Sequence, residues 1–374
     1  VEQHRGRIVD VDSLADLDRR LALGARSLSG WRVRGVDLRD RSAALHARDL
    51  GGATFLGCEW GPGEAERARA AGAVVMAVPD AAALDSVLGP VPAAAPDPAR
   101  TALYTVEELY DAPTWTTSFD GRAYAWSQRP STPDSALRRA LHDHAIDQAL
   151  QEWARPRRVA GVMGGHAARR GDPVYRGAAR LAQALGSTLA VATGGGPGAM
   201  EAANLGAWYA AATPGELDDA VGRLARVPSY RPSVDDWVAS AREVRAGVAP
   251  GADSLSIPTW HYGHEPPNFF ATAVAKYFRN ATREATLLEV CDAGIVFLPG
   301  AGGTVQEIFQ DACENYYADE SSVAPMVLVG REYWTSTLPA WPLLRALARG
   351  RAMEEHVHLA ETDEEAAAIV RAGA

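Results

Sequence analysis

The chain has 374 residues, of which 47% are hydrophobic and 22% charged, and it carries a formal net charge of −10. That length allows two domains and that composition is a globular one, which excludes a disordered or fibrous chain. The acidic balance argues against a nucleic-acid polymer as partner, and no apolar run approaches the ~20 residues that span a bilayer, so no membrane partner is expected.

In chain order, residues 53–57 and 73–78 are apolar runs of strand length joined by a helical stretch over 64–71. They predict a small α/β unit. Residues 89–98, rich in proline and alanine, predict a connector. A short helix is expected over 105–110 and a longer one over 134–153, and the domain boundary is placed near residue 130. From Arg157 onward strands and helices alternate. Strands are expected at 159–163, 189–193, 254–257, 294–298 and 326–329; helices at 174–185, 199–211, 270–290, 305–316 and 343–349. Short, wholly apolar strands separated by helices predict a Rossmann-like, doubly wound parallel sheet, here over 131–374, with an additional N-terminal α/β domain over 1–130. In such sheets ligands bind beyond the carboxyl ends of the strands.

The glycine clusters fall at that edge. Gly164 and Gly165 come after the first strand of the sheet, Gly194 to Gly198 after the second, and Gly300 to Gly303 after a later one. A strand that ends in glycines and feeds a helix leaves backbone N–H groups free for an anion. The first turn can be forced into a dinucleotide fingerprint with Asp218 or Asp219 as the ribose carboxylate, but it comes after the second strand of the unit rather than the first. In the second turn, Thr304 to Glu307 has the spacing of a capping box. The glycines before it exceed what a cap requires, which favours close approach of a ligand.

Two segments resemble the Lonely Guy (LOG) family, whose members are often mislabelled lysine decarboxylases. They are Gly194-Gly-Gly-Pro-Gly-Ala-Met-Glu-Ala-Ala-Asn204, followed by Gly206-Ala207, and Pro299-Gly-Ala-Gly-Gly-Thr-Val-Gln-Glu307. The resemblance covers residues 157–335 and implies a nucleoside 5′-monophosphate phosphoribohydrolase, which releases free base and ribose 5-phosphate. Cytokinin riboside monophosphates and ordinary purine or pyrimidine monophosphates are the substrate classes it implies. Ala301 stands where the family pattern has glycine, which predicts a loop of slightly different shape. The family's catalytic pair maps onto Glu307 and Arg283, with Arg279, one helical turn earlier, as the alternative arginine. The resemblance also implies a homodimer, and the apolar residues of the helix expected over 270–290 agree with one.

The residue types supply a mechanism. Cleavage of a ribose–base bond builds positive charge on the sugar, and a carboxylate beneath the ring (Glu307) stabilises it and orients water. The phosphate is expected on the N–H groups of Gly302, Gly303 and Thr304 beside Gly300, with Arg283 holding substrate charge or the departing base. Gly195, Gly196, Gly198 and Glu201 are expected to line the ribose side, and Gly164 and Gly165 to leave room for the nucleotide. Trp260, Tyr262 and Phe269 are candidates to stack on a base. His261, His264 and Glu265 have metal-like spacing but sit in a proline-rich loop without a further well-placed ligand, so neither metal nor cofactor is expected. Lys276, the sole lysine, lacks the other parts of a pyridoxal site. Cys58, Cys291 and Cys313 are scattered, and no cationic segment leads into an apolar one at the N-terminal end, so a cytoplasmic location is expected. The alternative to an enzyme is a non-catalytic nucleotide carrier or sensor, which would keep the glycine turns without needing Glu307 and Arg283.

Overall fold

The computed structural model describes residues 9–11, 13–76, 94–261, 265–318 and 322–373. Residues 89–93 of the expected connector, and Tyr262, Gly263 and His264, lie outside the described residues. The chain divides into two compact units, Val1–Pro90 and Val91–Ala374.

In the first unit, strands β1 (Val9–Val11), β2 (Trp31–Arg34), β3 (Thr54–Leu56) and β4 (Val74–Met76) form a parallel sheet in sequential order. Helices Leu14–Ala22, Ser42–His46 and Glu64–Ala70 connect them. Leu17, Val33, Leu45 and Phe55 are buried at its centre. Only the last two of these strands are expected from sequence. In β2 just two apolar residues alternate with arginines, so it lacks the continuous apolar run that marks a strand covered on both faces.

The second unit is a seven-stranded, wholly parallel sheet. Its strands are β5 (Val159–Met163), β6 (Ala190–Thr193), β7 (Ser254–Ser256), β8 (Ala273–Val274), β9 (Gly294–Phe297), β10 (Met326–Val329) and β11 (Val357–Ala360). Their spatial order is β11-β10-β9-β5-β6-β7-β8. The chain thus runs outward from β5 in one direction, returns, and runs outward from β9 in the other: the expected doubly wound α/β fold. Helices Pro173–Leu185, Ala199–Trp208 and Asp363–Gly373 pack together, and Asn280–Glu289, Gly302–Tyr317 and Ala340–Ala348 form another packed set. Every residue of β5, β6, β9 and β10 is buried, as a sheet covered on both faces requires.

Two expectations about this unit are corrected. The boundary does not fall near residue 130, because residues 104–127 belong to the larger unit. Tyr104 pairs with Val274 in an antiparallel bridge, and the Tyr110 hydroxyl donates to the Pro267 carbonyl at 2.7 Å. Nor is 270–290 one helix. Its first part forms β8 and a bridge between Thr259 and Tyr277, and the helix starts only at Asn280. Phe270, Val274 and Tyr277 are fully buried in the unit's own core, so they offer no apolar face to a second copy.

The sole lysine anchors the same region. Lys276, 1% exposed, pairs with buried Asp120 of helix Phe119–Ser127. Asp120 also accepts from the indole N–H of Trp260 at 2.9 Å and of Trp115 at 2.8 Å. Removing one partner of a buried ion pair strands the other charge in a low-dielectric interior. Asp120→Ala is therefore expected to cost about 3–5 kcal/mol in denaturant unfolding, whereas a loss under about 1 kcal/mol would show the pair to be solvated.

Candidate functional site

The direction of winding reverses between β5 and β9, so their carboxyl ends bound the natural crevice of the sheet. Gly164 and Gly165 leave β5 there. A Cβ on Gly164 would lie 3.0 Å from that of Ala199 and 3.1 Å from that of Leu298, so this glycine serves close packing rather than open space. Gly165 joins the two glycine turns. Its N–H donates to the Pro299 carbonyl at 3.4 Å, and its carbonyl accepts from the Ala199 N–H at 3.2 Å. The turns lie side by side at one edge of the sheet.

The first turn needs glycine at two places. Gly195 and Gly198 have φ of +78° and +74°, and a Cβ on Gly198 would fall 2.7 Å from the Gly165 carbonyl oxygen. A buried polar network holds this turn from beneath. The Asn204 side-chain oxygen accepts from Thr193 Oγ1 at 2.8 Å, Ser256 Oγ at 3.0 Å and Asn268 Nδ2 at 2.8 Å. Asn268 donates its backbone N–H to the Gly195 carbonyl at 2.8 Å, and the Gly195 N–H donates to Thr193 Oγ1 at 3.0 Å. Of these polar side chains the sequence motifs mark only Asn204. Asn268 lies directly after Pro266 and Pro267, and that rigid turn is the signal available for it.

In the second turn, helix Gly302–Tyr317 begins at Gly302 with Ala301 as its N-cap, which offers no side-chain capping bond but accepts the Val305 N–H at 3.0 Å. Thr304 is inside the first turn, so the capping box suggested by the sequence does not form. The N–H groups of Gly302, Gly303 and Thr304 have no acceptor among the described residues, and both glycines are exposed with open space where a Cβ would stand. Gly300 is tightly placed: a Cβ there would collide with Thr304 Oγ1, and its carbonyl accepts from the Tyr333 hydroxyl at 2.6 Å. Ala301 has φ of −107°, so its position demands no left-handed backbone and alanine is accommodated without strain.

Arg283 lies between the turns. Its Nη1 is 3.4 Å from the position of a Cβ on Gly194, and its Nη2 donates to Asn280 Oδ1 at 3.0 Å. Its Nε is buried without a hydrogen-bond partner, and its Nη2 also stands 3.7 Å from Glu284 Oε1. Glu307 is half-buried on the helix after the second turn. Burial pushes its carboxyl up to about 7, the nearby Arg283 cation opposes this, and Glu284 reinforces it. Arg279 is elsewhere: it is the exposed residue preceding helix Asn280–Glu289, its backbone N–H donated to Asp143, and so it does not share a helix face with Arg283.

Glu201 takes a different role from the one expected. It is fully buried, and both carboxylate oxygens are engaged by Arg170, with the Nε contact at 2.9 Å. Arg170 also donates to the Trp237 carbonyl at 3.1 Å and lies 4.7 Å from the Trp237 ring centre. The pair is a buried strut behind the first turn rather than a free ribose ligand. At the rim, Glu265 approaches Gly196 and stands 3.5 Å from His166 Nδ1. Trp260 and Phe269 are each 2% exposed and packed in the core, Trp260 at 4.6 Å from the Phe278 ring, so neither faces a base. Among the described residues no cluster of histidine, cysteine and carboxylate side chains has the form of a metal site. No helix among the described residues is long and apolar enough to cross a membrane.

No protein-family model matches the chain, and no curated protein matches it. Among solved structures, the molybdenum cofactor binding protein from the phototrophic bacterium Rippkaea orientalis aligns with 58% of this chain and 96% of its own length, at 17% identity and a TM-score of 0.36. A likeness at that level bears on neither activity nor ligand.

The Glu307 carboxyl has a consequence for stability. The folded state keeps a proton up to about pH 7 that an unfolded glutamate releases near 4.5. Folding therefore binds more protons in that window, and this contribution is full below about 4.5 and lost as pH rises through about 7. Glu307→Gln should flatten that fall by an amount on the order of 3 kcal/mol in unfolding measured at pH 5 and pH 8. An unchanged pH dependence would mean that Glu307 titrates as an ordinary solvated acid.

Proposed function

We propose that the larger unit hydrolyses the N-glycosidic bond of nucleoside 5′-monophosphates, as the resemblance of its two glycine motifs to the LOG family implies. The observation that carries this reading is the junction at Gly165, which sets a helix start with unpaired N–H groups beside a turn flanked by Arg283. Glu307 lies within electrostatic reach of that arginine.

The phosphate sits on the N–H groups of Gly302, Gly303 and Thr304, where the positive end of the helix dipole favours an anion. Binding energy from this remote group fixes the ribose over Glu307. As the bond between C1′ and the base nitrogen breaks, its electron pair leaves with the base and charge builds on the ribose. The ionised Glu307 stabilises that charge and accepts a proton from the attacking water, whose oxygen bonds to C1′. The base takes up a proton, giving free base and ribose 5-phosphate. Arg283 holds the substrate's negative charge.

A carboxylate required in ionised form sets the pH profile. For AMP, CMP and N6-isopentenyl AMP, kcat/KM for any substrate cleaved should rise with pH and level off above an apparent pKa near 7. Glu307→Gln should lower kcat by at least about a hundredfold while leaving nucleotide affinity within about threefold. Tight binding of one of these nucleotides without release of base would instead favour a carrier or sensor.

A further inference from the structure

Helices Pro214–Leu224 and Val234–Arg245 and the loop between them border a cavity of about 660 Å³ that the proposed reaction does not use. Arg169, Arg223, Arg226 and Arg231 line it, and all of them are exposed. None forms an ion pair among the described residues. Arg223 donates only to a backbone carbonyl, that of Glu243, at 3.1 Å, and Arg231 lies 5.4 Å from the Tyr230 ring centre. Two other exposed arginines of the unit, Arg180 and Arg331, are ion-paired, with Asp218 and Glu361, whereas Arg129, Arg349 and Arg371 stand singly without an ion pair among the described residues. The lining carboxylates are Asp236 and Glu243, so the four guanidinium groups outnumber the acids by two, in a chain whose overall charge is −10.

Gathering four like charges on a concave wall with only two carboxylates to offset them works against folding, and it creates a local field that draws anions. Guanidinium forks match phosphate oxygens, and a volume in the range of roughly 300–1,000 Å³ suits a small molecule. A single phosphate cannot engage four side chains spread around such a space, whereas linked phosphates can. A long polyanion is disfavoured by the acidic chain around the site.

We propose that this cavity binds a small molecule carrying two or more linked phosphate groups, at a place separate from the monophosphate cleft. A smaller cavity of about 300 Å³ adjoins it, sharing Arg169 and Arg231, and reaches Gly198 and Glu201. Arg170 belongs to the wall there and is not a ligand, since Glu201, the Val227 carbonyl and Ser240 Oγ already engage its donors. The site does not depend on the hydrolase reading.

The test is calorimetric titration of the full chain with inorganic tripolyphosphate at moderate salt, with and without saturating ribose 5-phosphate. Saturable one-to-one binding is expected, unaffected by ribose 5-phosphate. Arg226→Ala combined with Arg231→Ala should weaken it at least about tenfold, the corresponding lysine pair should retain part of it, and Arg180→Ala should leave it unchanged. Absence of saturable binding, equal affinity in the double alanine variant, or displacement by ribose 5-phosphate would overturn the assignment. So would tighter binding of a single-stranded oligonucleotide than of tripolyphosphate.

Discussion

Gly165 has one N–H and one carbonyl, and each is committed to a different loop: the N–H to Pro299 and the carbonyl to Ala199. Two helix starts separated by about a hundred residues are thereby brought to one edge of the sheet. The geometry depends on the absence of side chains at the contact. A Cβ on Gly198 would meet the Gly165 carbonyl, and one on Gly164 would press against both Ala199 and Leu298. The doubly wound topology brings β5 and β9 together, and the glycines allow the loops at their carboxyl ends to approach closely.

The electrostatics of the crevice combine opposed elements. The open N–H groups at Gly302 to Thr304 lie at the positive end of a helix dipole, in a chain that is acidic as a whole. On the same helix, burial pushes the Glu307 carboxyl up to about 7. A carboxylate that is costly to ionise is one that a developing positive charge stabilises strongly, because the same poor solvation that raises its proton affinity strengthens its field. Arg283 is held by Asn280 and Glu284 through its Nη2, while its buried Nε has no hydrogen-bond partner. Unsatisfied groups of this kind are tolerated where a ligand completes them.

The strands around the crevice are legible in the sequence because β5, β6, β9 and β10 are short, apolar and bounded by glycine or another turn residue. The glycine turns are legible because so many glycines exceed what a cap needs. The stretch 270–290 misleads because Ala-Val-Ala-Lys-Tyr-Phe over 273–278 satisfies a helical period as well as a buried edge strand, and only pairing with Leu255 and Ser256 decides between them. Glu201 reads as a ribose ligand because its partner Arg170 lies 31 residues away in sequence, outside any local pattern. The Asn204 network is hidden for the same reason: Thr193, Ser256 and Asn268 converge only through the order of the strands. The boundary near 130 fails because residues 104–127 dock through a bridge to β8 and a buried ion pair, neither of which leaves a compositional mark.

The most direct test of the proposed chemistry is a crystal structure of Glu307→Gln soaked with AMP. The phosphate is expected within hydrogen-bond distance of the Gly302, Gly303 and Thr304 N–H groups, with the anomeric carbon against residue 307 and Arg283 beside the nucleotide. Phosphate density away from that helix start, or a ribose on the far side of the Gly194 to Gly198 turn from residue 307, would contradict it.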